Sequence, residues 1–208
     1  MKVWDLATRL YHWAQAGLFV GLMASGFSGN GPHVQLGLAL FTLLTWRVIW
    51  GLVGSETSRF GQFVRSPKAV IFYLFGRQQA AAGHNPAGGW MVMVMMSALL
   101  LQCISGLALA GLLDGLPLAQ YWLTEDVFGA LESIHLGLVN VLPAMIALHV
   151  GAVLFYKLRG KPLTKAMFTG VQTRLTGVNG VLFVSQLRAL LVLVVSASVT
   201  MAIIAFSA

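Results

Sequence analysis

Residues 132–156 read ESIHLGLVNVLPAMIALHVGAVLFY, an almost wholly apolar stretch that contains His135 and His149. The two histidines lie fourteen positions apart. Four turns of an α-helix take about 14.4 residues, so both imidazoles fall on one face of a helix. At about 1.5 Å per residue they are separated by roughly 21 Å, most of a hydrocarbon core of about 30 Å. Each is followed two residues later by glycine, in His135-Leu-Gly137 and His149-Val-Gly151. The stretch therefore predicts one membrane-crossing helix with two similar stations, one near each membrane face.

Composition supports a membrane setting for the whole chain. Of 208 residues, 58% are hydrophobic and 9% are charged, against about 25% charged in a soluble domain. The apolar runs are too long, and lack the period-two alternation, for β-barrel strands. The class is all-α and polytopic. The net charge of +7 does not point to nucleic acid, because the basic residues cluster beside apolar spans as orientation signals do. The single cysteine, Cys103, excludes an intrachain disulfide, and without Cys-x-x-Cys-His there is no covalent haem attachment. Cys103 reads as a small packing residue. Asp5, Tyr11, His12, Trp13 and Gln15 make the N-terminus a poor signal peptide, so it reads as a retained first span.

Five spans are expected, at about 10–27, 33–53, 90–113, 132–156 and 187–206. The first four form a core domain, residues 1–175, and residues 176–208 add a C-terminal transmembrane helix. Residues 67–75 read as a short amphipathic helix lying on the membrane. Lys2, Arg9, the basic loop after span two and the basic tail after span four, from Lys157 to Arg174, share one side, which should be cytoplasmic. The loop between spans three and four carries Asp114, Glu125, Asp126 and Glu132 without Lys or Arg and faces outward, as does the C-terminus. Span three holds four of the nine methionines, which read as soft packing.

This orientation sorts the five histidines by depth. His12 and His149 lie toward the inner side, His33 and His135 toward the outer side. His84 reads as a loop residue in a turn. Two imidazoles facing each other across a bundle suit the axial positions of a haem iron, giving His12 with His149 and His33 with His135. Gly17, Gly37, Gly137 and Gly151 would make room for a porphyrin, and Arg9 and Arg47 are placed to meet the propionates of the inner haem. Histidine within a membrane also serves as a hydrogen-bonding link between helices, and Arg47 has the alternative of snorkelling to the interface. Four histidines in two depth-matched pairs favour the haem reading. Zinc is disfavoured, since a closed site needs four close ligands.

The sequence resembles the bacterial cytochrome b561 family, close to the cytochrome b subunits of nickel-iron hydrogenases. The resemblance covers about residues 2–175 and lies in Val3-Trp-Asp-Leu-Ala-Thr-Arg-Leu-Tyr-His-Trp13, Arg47-Val-Ile-Trp-Gly-Leu-Val-Gly54, Arg59-Phe-Gly-Gln-Phe63, Gly83-His-Asn-Pro86, the two histidines of span four and Lys165-Ala-Met-Phe-Thr-Gly170. It implies a four-helix bundle in the bacterial inner membrane holding two b haems, with His12, His33, His135 and His149 at the ligand positions. It further implies electron transfer between the quinone pool and a redox partner, as a subunit of a respiratory or quinone-reactive oxidoreductase. A periplasmic cytochrome c suits the acidic outer loop as partner, although the loop also reads as a merely solvated one. A superoxide oxidase, passing electrons from superoxide to quinone, is the alternative within the family; it would want cations near the outer haem. A histidine-lined transporter without haem is the alternative of another class.

Overall fold

A computed structural model describes residues 1–77, 82–172 and 180–207. Arg174 and the expected boundary between 175 and 176 lie outside the described residues. The described chain is helical, with one isolated bridge between Lys2 and Val171. In order, α1 is Leu6–Ser28, α2 His33–Val53, α3 Phe60–Phe63, α4 Pro67–Leu74, α5 Pro86–Leu109, α6 Ala119–Trp122, α7 Glu125–Leu158, α8 Leu163–Thr169 and α9 Gln186–Ser207. Among the described residues, four helices are long and apolar enough to cross a membrane: α2, α5, α7 and α9. At 23 residues α1 has the length, but Thr8, Arg9, His12 and Gln15 make its first half too polar to meet the same measure.

Local chemistry explains the helix ends. Asp5 caps α1 by accepting from the Thr8 amide at 2.6 Å, and Gly29 closes it in the left-handed conformation. Ser66 caps α4, whose first residue is Pro67; Ile71, Phe72 and Leu74 are exposed on it, as suits a helix lying at an interface. Asn85 caps α5 with Pro86 at its first position, so this helix begins before the expected residue 90. It ends at Leu109, before the expected 113, where Gly111 takes a positive φ of 70°.

The largest departure is at the start of α7. Thr124 caps it with its hydroxyl, and the helix starts at Glu125 rather than near 132. Glu125 and Asp126 thus belong to a helical first turn, where carboxylates meet the positive end of the helix dipole. Glu132 lies within the helix, and Asp114 lies on the turn after α5. The outer acidic residues are therefore mostly a helix end and not a loop.

The long helices pack in series: α1 on α2, α2 on α5, and α5 on α7, with α9 on the outer flank of α2. The midplane core joins Leu40 and Leu44 of α2, Met96, Leu99 and Cys103 of α5, and Leu142 of α7. Leu142 is seven residues from both His135 and His149, two turns either way and so on the same face. The α9 helix is held by polar contacts as well as packing. Trp46 Nε1 donates to the Ala189 carbonyl at 3.0 Å, and the hydroxyls of Thr42 and Thr200 are 2.7 Å apart.

The inner end is closed by a folded cap. The amides of Val3 and Trp4 donate to the Gly170 carbonyl. Thr57 donates to the Val3 carbonyl, and the Thr8 and Ser58 hydroxyls are 2.7 Å apart. The phenol oxygens of Tyr73 and Tyr156 lie 3.0 Å apart and fasten α4 to the end of α7.

Candidate functional site

Helix α7 places its two histidines against two other helices. The rings of His12 and His149 have centroids 6.5 Å apart and are inclined at 48°. Those of His33 and His135 are also 6.5 Å apart, inclined at 78°. An imidazole nitrogen sits about 2.0–2.1 Å from a first-row metal, and adding ~1.1 Å from nitrogen to ring centre on each side gives about 6.3 Å between centroids. Both pairs therefore fit a single iron between them. Among the described residues no group of three or more His, Cys, Asp or Glu could hold a metal ion, so each station offers a pair of ligands.

The outer pair is held in a defined tautomer. His135 Nδ1 lies 3.1 Å from the Gln102 carbonyl oxygen and 3.1 Å from Ser105 Oγ. A carbonyl only accepts, so Nδ1 carries the proton and Nε2 keeps its lone pair for a metal. His33 Nδ1 lies 2.9 Å from Ser25 Oγ, which itself donates to the Leu22 carbonyl; the hydroxyl is left to accept, with the same result. Such partners orient a ligating imidazole and tune the metal. Ser25 is the hydrogen-bond partner of His33, whereas His135 has two. Ser25→Ala is therefore expected to weaken retention of a metal-bearing group held between His33 and His135 by about fivefold and Ser105→Ala by less, from about 1 kcal/mol per neutral hydrogen bond. Cofactor-release rates of the two variants check this order.

The glycines divide into two kinds. A Cβ added at Gly17, Gly37, Gly137 or Gly151 would meet nothing within 4 Å, so space lies beside each station for a flat ligand. Gly26 and Gly106, which sequence reasoning missed, meet the histidines themselves. A Cβ at Gly26 would lie 3.2 Å from His33 Cε1, and one at Gly106 would lie 2.9 Å from His135 Cε1. Helix α5, read from sequence as a packing helix, in fact supplies Gln102, Ser105 and Gly106 to the outer station.

At the inner station the two predicted arginines behave differently. Arg9 is spent on backbone: its guanidinium donates to the carbonyls of Phe168 and Asp5. Arg47 is 4% exposed, and its Nη1 has no hydrogen-bond partner. Its guanidinium lies over the rings of Phe60 at 5.1 Å and Phe63 at 5.8 Å. A buried charge left unpaired is costly, so a snorkelling role does not describe this residue. His12 Nδ1 and Gln15 Oε1 are also buried without partners. So is Nδ1 of His84, which is no ordinary turn residue. Its ring packs edge-on to Trp4 at 4.7 Å and against Phe63 at 4.6 Å. Burial holds the His84 imidazole well below its usual value, at about 3, and Arg47, His12 and His149 push the same way. It is therefore neutral.

These orphaned donors and acceptors, the paired imidazoles and the open glycine faces fit a planar iron cofactor with anionic edges. Similarity to known proteins bears on the same residues. No curated protein and no solved structure shows significant similarity to the chain. The sequence model described as prokaryotic cytochrome b561 matches residues 3–170. That match spans most of the chain and takes in all four paired histidines, and with it the chain belongs to the prokaryotic cytochrome b561 family, membrane proteins that bind haem b and transfer electrons.

Proposed function

We propose that the protein holds two b haems, an inner one between His12 and His149 and an outer one between His33 and His135, and carries electrons between membrane quinone and a periplasmic redox protein such as a cytochrome c. The observation that carries this reading is the pair of 6.5 Å histidine contacts made by one helix. The setting is the bacterial inner membrane, with the N-terminus cytoplasmic and the C-terminus periplasmic. The ends of the bundle support it. Arg59, Arg65, Lys68, Lys157, Arg159 and Lys161 flank the inner ends of the spans, as cytoplasmic loops do.

A haem held between each histidine pair would supply a one-electron iron couple and, ligated by two imidazoles, would suit electron transfer over oxygen activation. The chain does the rest. His135 and His33 are aimed by Gln102, Ser105 and Ser25. Leu142, Leu40, Leu44 and Leu99 fill the midplane between the stations and keep water out of it. Helix α7 fixes the spacing along the membrane normal. At its outer end Glu125 and Asp126 offer negative charge to a basic partner, and the same charge disfavours superoxide as the substrate.

The test is reduction of the purified protein in vesicles by a quinol, followed by addition of a soluble cytochrome c. A sharp reduced b-type α band that appears with quinol and decays with cytochrome c is the expected result. No such band under dithionite sinks the haem reading. Reduction by a superoxide source, with none by quinol, favours the superoxide oxidase.

A further inference from the structure

We infer that His84 and Arg47 together form a carboxylate-binding site that takes a propionate of the inner haem. This deepens the proposed di-haem function and rests on it. Arg47 Nη1 and His84 Nδ1 are both sealed from solvent and both lack a hydrogen-bond partner. They share Phe63 as a packing neighbour, Arg47 over its face and His84 against its ring. Each comes from a different part of the inner end: Arg47 from the last turns of α2, His84 from the segment that leads into α5.

The chemistry wanted there is an anion that accepts two hydrogen bonds. A guanidinium only donates, and a neutral imidazole protonated on Nδ1 donates from that atom. The nearby Asp5 carboxylate is already taken, by the Thr8 amide on one oxygen and the Ser58 hydroxyl on the other. A lipid phosphate is a poor occupant of a site whose arginine is 4% exposed. A propionate on a haem held by His12 and His149 is a carboxylate that enters with its own apolar body. The surroundings of His84 are apolar and aromatic, with Trp4 on one side and Phe63 on another, so the hydrogen bond forms in a medium where it is strong.

The experiment uses the full-length holoprotein and three variants. His84→Phe keeps the ring against Trp4 and Phe63 and removes both nitrogens; His84→Gln restores a donor. Haem transfer to excess apomyoglobin is followed, together with the propionate bending bands in resonance Raman spectra. His84→Phe is expected to release one of the two haems about ten- to a hundredfold faster, the range for a hydrogen bond to a charged group. One propionate band should shift with it, and His84→Gln should recover most of both effects. An unchanged release rate, or faster release with unshifted bands, overturns the inference while leaving the di-haem reading intact. Wild type with fewer than two haems, or His12→Ala that retains both, overturns the di-haem reading and the inference with it.

Discussion

On the proposed di-haem reading, His149→Ala is expected to lower the reduced b-type α band to about half of the wild-type value, because one of two bis-histidine sites would lose a ligand. The remaining band should titrate with a single midpoint potential. Among the described residues His12 makes its ring-to-ring histidine contact with His149, and the other imidazole toward the inner end, His84, packs against Trp4 and Phe63. An inner haem would then be lost or left with His12 alone, and either outcome would remove its sharp α band. His12→Ala should match His149→Ala, while His135→Ala should remove the other midpoint. The result is specific to the pairing. If His12→Ala and His135→Ala removed the same haem, or if His149→Ala kept both, the assignment of partners would fail. Pyridine haemochrome content with a redox titration reads both.

The parts of this arrangement that sequence made legible are those with a local period or a local charge. The spacing of His135 and His149 needs only the helical repeat. The depth of His12 and His33 needs only the distribution of basic residues about the spans. The shell around the histidines has no such signature. Gly106, Ser105 and Gln102 sit on a helix without histidine, and their place beside His135 arises from how α5 packs on α7. Gly26 precedes His33 by seven residues across a turn, and the reversal of the chain brings them together. His84 lies within a turn-rich break of the sequence and reads there as a loop residue in a turn. Its burial depends on Trp4 from the N-terminus and Phe63 from α3, contacts separated by many residues. The long α7 was cut short for a related reason. Composition marks where apolar residues stop, whereas the helix continues outward to the Thr124 cap through residues polar enough to leave the membrane.

Gly106→Ala gives the sharpest test of that hidden shell. Alanine is favoured over glycine in a helix interior by about 1 kcal/mol, so on local grounds the variant should be as stable as wild type or more so. The outer station predicts a different result. The added methyl would stand 2.9 Å from His135 Cε1 and 3.4 Å from Nδ1, closer than carbon atoms pack without displacement. The imidazole can turn away only by giving up its contacts with the Gln102 carbonyl and Ser105 hydroxyl, which fix Nδ1. Losing both, at about 1 kcal/mol each, corresponds to roughly a thirtyfold loss of affinity for the metal-bearing group. Gly26→Ala is expected to act in the same direction but more weakly, since its methyl would lie 3.2 Å from His33 Cε1 and the ring need release one hydroxyl contact. The expected pattern is an unchanged or raised melting temperature of the helical signal, a normal inner haem, and an outer haem that is depleted in Gly106→Ala and shifted in potential in Gly26→Ala. Unchanged outer-haem content and potential in Gly106→Ala would show that His135 does not need the place in which α5 holds it.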